Sequence, residues 1–153
     1  MNKTNAKVYF TIFGEDFPIE IVSDSLRITP TRSYKKGDVI IREPNPYVIY
    51  TGTTYRKETA WEFGTEYEET FDFQEQIANV INQLKNKENI INELCSKYKL
   101  KCHFMIVIRI NEGNTPAVTI NNEFIKLAND IGAEIEFDLY ANPYDEIDLN
   151  ELS

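Results

Sequence analysis

The chain has 153 residues, the usual size of one domain, and its 42% apolar and 27% charged content excludes a disordered polymer while supplying apolar surface for a single core. A formal net charge of −9 repels a phosphate backbone, which argues against nucleic acid and leaves a basic partner as the electrostatic complement. No uninterrupted apolar run reaches the roughly 20 residues of a membrane span, and Val8 to Phe13 is too short for a signal-peptide core, so a cytoplasmic protein is expected.

Residues 1–7 are expected to form a flexible N-terminus. Val8-Tyr9-Phe10-Thr11-Ile12-Phe13 is β-branched and aromatic and stops at Gly14, which predicts a first strand buried largely on both faces. Asp16 reads as an N-cap, with Pro18 just inside the start, and Ile19, Val22 and Leu26 at helical spacing predict a helix over 17–26. From Ile28 to Thr59 the prolines and glycines cut the pattern into an elaborated loop or hairpin, with Val39-Ile40-Ile41 and Tyr47-Val48-Ile49-Tyr50 as short edge strands. Strand character returns from Thr59 to Phe63.

Asp72 and Glu75 form a capping box ahead of the stripe Ile77, Val80, Ile81 and Leu84. A second stripe, Ile90, Ile91, Leu94, Cys95 and Tyr98, follows as a separate helix or as the continuation of an interrupted one. Lys101 to Ile110 alternates as a strand, with Phe104, Ile106, Ile108 and Ile110 on one face and Met105 and Val107 on the other. Asn121 or Asn122 caps a helix carrying Phe124, Leu127, Ala128 and Ile131, and Gly132 occupies the expected left-handed C-terminal position. In the last strand Ile135, Phe137 and Leu139 point inward, and Glu134, Glu136 and Asp138 point to solvent. Residues 142–153 form an acidic tail beyond the single domain of 8–141. The fold class is α+β: a mainly antiparallel sheet of about four to six strands, helices packed on one face, and two β-α-β-like halves.

Catalytic equipment is sparse. His103 is the one histidine, and the adjacent Cys102 points to the opposite face of its strand, which is poor geometry for a nucleophile and its base. Cys95, Cys102 and His103 lack the paired spacing of a zinc site, and neither Gly-rich phosphate loop occurs. No catalytic residue, metal or cofactor is therefore expected. Cys95 and Cys102 fit a reducing compartment as ordinary small apolar groups.

Two segments carry candidate binding residues. Trp61, Glu62, Glu66, Tyr67, Glu68 and Glu69 mix large contact side chains with like charges, the composition of an acidic surface anchored by aromatics that would face a basic protein. The blander account is a solvated strand edge followed by a favourable helix N-terminus. In the loop 29–38, Thr31, Arg32 and Lys36 are candidates for gripping an anion, against the alternative of a solvated turn.

Phe13-Gly14-Glu15-Asp16, Leu26-Arg27-Ile28-Thr29-Pro30-Thr31, Lys36-Gly37-Asp38, Trp61, and Ile131-Gly132-Ala133 leading to Glu136-Phe137-Asp138-Leu139-Tyr140 together resemble a bacterial family catalogued as domain of unknown function 4279, over roughly residues 8–141. The family implies no catalytic residues. By analogy with small domains that accompany polymorphic toxins, the resemblance and the acidity suggest a non-enzymatic binding protein, an immunity-type inhibitor that neutralises a basic toxin. The alternatives are a small-anion sensor or enzyme using the 29–38 loop, and a structural or oligomerising module whose last strand pairs between chains. Val39 to Thr59 departs from the plainer family pattern by its length and its proline and tyrosine content.

Overall fold

Alternating β-branched and aromatic residues make Asn5–Gly14 a ten-residue strand, β1, and its two edges organise the rest of the sheet. The computed structural model describes residues 3–42, 49, 51–70 and 72–142. Along the chain, β1 is followed by α1 (Ile19–Leu26), β2 (Arg32–Tyr34), β3 (Thr59–Gly64), β4 (Glu68–Glu69), α2 (Gln74–Leu84), α3 (Glu88–Tyr98), β5 (Lys101–Asn111), α4 (Asn122–Asp130) and β6 (Glu134–Asn142). The fold is α+β, with a mixed, mostly antiparallel sheet in the order β2-β3-β1-β5-β6 and β4 paired to the start of β1.

β5 and β6 run parallel, a pairing that needs a crossover, and α4 supplies it. β2 is antiparallel to β3, which is antiparallel to β1, so β2 runs with β1 and α1 forms a second crossover, split by β3. These are the two β-α-β-like halves.

The helices cover one face. Val8, Phe10 and Ile12 of β1 and Phe104, Ile106 and Ile108 of β5 meet Val22, Leu26, Ile77, Leu84, Ile91 and Phe124 in one core. Phe10, Phe104 and Phe124 are in contact in series, with ring centroids 5.0 and 4.8 Å apart. Each such buried ring contributes about 1.5–3 kcal/mol of transfer free energy.

Several boundaries differ from the sequence reading. The first strand begins at Asn5, and Thr4 is buried, its hydroxyl donating to the Asn114 carbonyl at 2.6 Å and accepting from the Asn111 amide at 3.2 Å. Residues 3–7 are therefore anchored rather than a flexible extension. The first helix begins at Ile19, because Phe17 turns into the core and Pro18 takes the N-cap. Asp72 accepts from the Gln74 amide at 3.0 Å at the start of α2, and Asn86, with φ 64°, separates α2 from α3 as two helices. Asn121 caps α4 by accepting from Phe124, and Gly132 has φ 64°. Phe137 and Leu139 lie on the helix side of β6 but extend past the helices, 41% and 59% exposed, so they are not core residues.

Between β2 and β3 the flanks of the irregular segment pair with each other. The Gly37 amide donates to Arg56, Arg56 to Asp38 and Ile40 to Thr54, at 2.8, 2.7 and 2.8 Å. Residues 43–48 and 50, most of the second expected edge strand, lie outside the described residues, as do 143–153 of the expected tail.

Candidate functional site: the uncovered sheet face and its β6 edge

Strand alternation that sends one set of side chains to the helices sends the other to a face that none of the described helices covers. Tyr9 and Thr11 of β1, Arg32 and Tyr34 of β2, Glu62 of β3, and His103, Met105 and Arg109 of β5 lie there, with Glu134, Glu136 and Asp138 of β6. Gly64 makes room for Tyr9: a Cβ at residue 64 would come within 2.3 Å of the Tyr9 Cβ.

One row crosses the whole sheet, Arg32-Glu62-Thr11-His103-Glu134. Its centre is a buried carboxylate. Glu62 is 8% exposed, with Arg32 Nε donating to Oε1 at 2.8 Å and the Thr11 hydroxyl donating to Oε2 at 3.4 Å. Burial, helped by the nearby Glu62 charge, pushes the Tyr9 hydroxyl up to about 12 and also raises that of Tyr34. Partial burial, aided by the Arg32 charge, lowers the Lys7 ammonium.

Two tyrosine rings are each flanked by two cations. Arg109 and Lys7 sit 3.6 and 4.8 Å from the centroid of Tyr67, and Arg56 and Arg32 sit 3.9 and 5.5 Å from that of Tyr34. These contacts hold long side chains flat against the sheet. His103 packs at 5.1 Å on Phe13, half-buried, while Cys102 points into the core, so the two do not form a dyad. Among the described residues no three His, Cys, Asp or Glu side chains converge as a metal site, and no helix is long and apolar enough to cross a membrane.

The far edge has a different character. β6 is nine residues long and, among the described residues, is paired by β5 alone, on one side. Glu134, Glu136 and Asp138 line its uncovered-face side, and Phe137 and Leu139 its helix side. Tyr140 donates to Asp138 at 2.9 Å, which raises its own hydroxyl. The strand thus offers a backbone edge that no described strand pairs, with acids on one face and apolar groups on the other.

Residues 2–142 match domain of unknown function 4279. The chain belongs to that family. No curated protein and no solved structure matches it. In this member of domain of unknown function 4279, the residues that carry the resemblance include structural ones: Trp61 is in the core and Gly132 is the left-handed end of α4.

The structure divides the acidic group expected to bind a partner. Trp61 is fully buried on the helix side, its indole N–H donating to the Ser23 hydroxyl at 3.0 Å, and offers no surface to a partner. Glu62, its neighbour, points the other way and is committed to Arg32. Tyr67 is half-buried between Lys7 and Arg109, and Glu66, Glu68 and Glu69 are exposed, with Glu69 3.7 Å from Lys3. The anion-binding trio is also separated. Thr31 donates to the Glu62 carbonyl, Arg32 holds the Glu62 carboxylate, and Lys36 pairs at 2.8 Å with Glu15 in another loop. Sequence reasoning missed Lys7, Arg56 and Arg109 as ring partners, and it missed Phe137 and Leu139 as surface. The acid-apolar alternation of 134–139 was visible, and an edge position for the last strand entered only through the oligomerising alternative; the strand order supplies it.

Proposed function

We propose that this chain is a non-enzymatic binding protein that captures an extended basic segment of a partner protein at the edge of β6, as an immunity-type inhibitor would cover a basic toxin. The observation that carries the reading is that nine-residue edge, with Glu134, Glu136 and Asp138 on one side and exposed Phe137 and Leu139 on the other. Strand addition satisfies the backbone groups that no described strand pairs, and alternate side chains then select the partner. Its complement is a strand alternating lysine or arginine with apolar residues. Self-pairing of β6 in antiparallel register sets acid against acid, which is destabilising, so the oligomerising alternative is less favoured. For the anion-binding alternative, a ligand would first have to displace Glu62 from Arg32 and Glu15 from Lys36. A cytoplasmic location fits the free thiols of Cys95 and Cys102.

The test uses a nine-residue peptide alternating lysine and valine, with a glutamate-valine peptide as control, titrated by calorimetry or fluorescence anisotropy. The lysine peptide is expected to bind with a Kd at or below about 1 mM, and substitution of Glu134, Glu136 and Asp138 by lysine should reverse the preference. Equal binding of the two peptides, or none of the lysine peptide, overturns the proposal. A milder Glu136→Gln variant, checked for folding by circular dichroism, keeps the result interpretable if the triple variant is unstable.

A further inference from the structure

We propose that Cys95 and Cys102 are a redox modification site: a thiol pair that a hydroperoxide converts to an intramolecular disulfide joining α3 to β5. The backbone brings them together. Lys99, left-handed at φ 56°, ends α3, and the Leu100 amide donates to the Cys95 carbonyl at 2.9 Å, reversing the chain into β5. Cys102, on the core face of β5, then returns to the wall of the cavity that Cys95 also lines, and each thiol perturbs the ionisation of the other. Both line a cavity of about 460 Å³ with Lys101, His103, Glu134 and Glu136.

Their environments assign different roles. Cys95 is half-buried on the cavity wall, and the hydrogen bond from Cys102 lowers its thiol below the ordinary value, favouring the thiolate. Cys102 is buried, its one S–H donates at 3.4 Å to the Ile131 carbonyl while Cys95 is neutral and is available to Cys95 once that sulfur ionises, and its own ionisation is raised by the neighbouring Cys95 and by burial. A partly exposed, more acidic thiol beside a buried partner is the arrangement of an attacking and a resolving cysteine.

With hydrogen peroxide the Cys95 thiolate attacks one oxygen. The S–O bond forms, the O–O bond breaks, and hydroxide leaves and takes up a proton as water, giving Cys95 sulfenic acid. Cys102 then attacks the Cys95 sulfur; the S–S bond forms, the S–O bond breaks, and the departing hydroxide leaves as water with the Cys102 proton. In sum two thiols and one peroxide give one disulfide and two waters. The sulfurs lose two electrons and the peroxide gains them.

The reduced, full-length protein is treated with a slight excess of hydrogen peroxide and followed by thiol titration, intact mass and non-reducing peptide mapping. Both thiols should disappear, the mass should fall by two hydrogens with Cys95 linked to Cys102, and dithiothreitol should reverse the change. The chain should remain uncross-linked on a non-reducing gel, and Tm should rise by roughly 5 °C as the unfolded chain is constrained. Persistence of both thiols, oxygen added to Cys95 with Cys102 still free, or cross-linked dimers overturns the proposal. In Cys95→Ser, Cys102 should lose its thiol at least tenfold more slowly than in the parent protein; an unchanged rate refutes the assigned order of attack.

Discussion

Substitution of Arg32 by methionine removes the strongest partner of a carboxylate that has almost no contact with water. The Arg32 Nε to Glu62 Oε1 distance is 2.8 Å, and the Arg32 side chain is 53% exposed against 10% for Glu62. At an effective dielectric of about 20 the gross attraction at that distance is roughly 6 kcal/mol. Solvent screening of the exposed arginine and the desolvation of Glu62 reduce the net value. An exposed pair is worth about 0–1 kcal/mol, whereas breaking a fully buried one costs about 3–5, and one exposed and one buried partner place Arg32→Met at about 2 kcal/mol. Thr11, 3.4 Å from the other oxygen, is a weak remaining donor. Glu62→Gln keeps an acceptor for Arg32 and should cost about 1 kcal/mol. The double variant should cost less than the sum, leaving a coupling energy of about 1 kcal/mol. Urea unfolding at pH 7 measures all three, and with a slope of about 2 kcal/mol/M the Arg32→Met midpoint falls by about 1 M. If Arg32→Met shifts the midpoint by less than about 0.2 M, with additive double-variant energies, Glu62 is solvated through some other route and the buried-carboxylate argument is wrong.

Trp61 supplies a second test, because its indole is fully buried and hydrogen-bonded to Ser23. Trp61→Ala should cost about 3–5 kcal/mol in denaturant unfolding and Trp61→Phe clearly less, with partner-peptide affinity in the Phe variant unchanged; a loss of affinity without a loss of stability would return Trp61 to the surface. Tyr9 tests the uncovered face by pH. Its folded pKa of about 12 lies above the ordinary value of 10.0, so the folded state holds the proton longer, and the stabilisation is complete below pH 10 and lost as pH rises through 12. After discounting for partial exposure, the loss is about 1 kcal/mol. It should vanish in Tyr9→Phe when unfolding free energies are compared at about pH 9 and 11.5, and equal losses in the two proteins would exclude Tyr9 as the source.

The parts of the fold that were legible in the sequence are those fixed by local periodicity. β5 and α4 declare themselves because Phe104, Ile106 and Ile108 repeat every second residue and Asn121 and Gly132 mark the ends of the helical stretch. Trp61 shows how a local signal is outweighed. Trp61 and Phe63 alternate with Ala60 and Glu62, which already separates the tryptophan from the carboxylate, yet the surrounding acids make the segment read as surface. The identity of the buried face depends on where α1 packs, and Ser23 on that helix receives the indole. The Cys95–Cys102 approach was less legible, because the left-handed residue that reverses the chain is Lys99 rather than glycine.

The acids of β6 acquire meaning only from sheet order. In an interior strand Glu134, Glu136 and Asp138 would be a polar face flanked by two neighbours, and Phe137 and Leu139 would be covered. As the outermost of the described strands, β6 presents both faces together with a backbone edge that no described strand pairs. Acidic side chains on an edge are a common defence against self-association, since a second copy brings the same charge to the same register. That defence is selective by sign: a basic strand meets no such barrier and gains both the backbone bonds and the exposed rings and methyls. Under the proposed function, a negative charge that reads as solubility in the composition would act at this edge as a rule about which strand is admitted and which is refused.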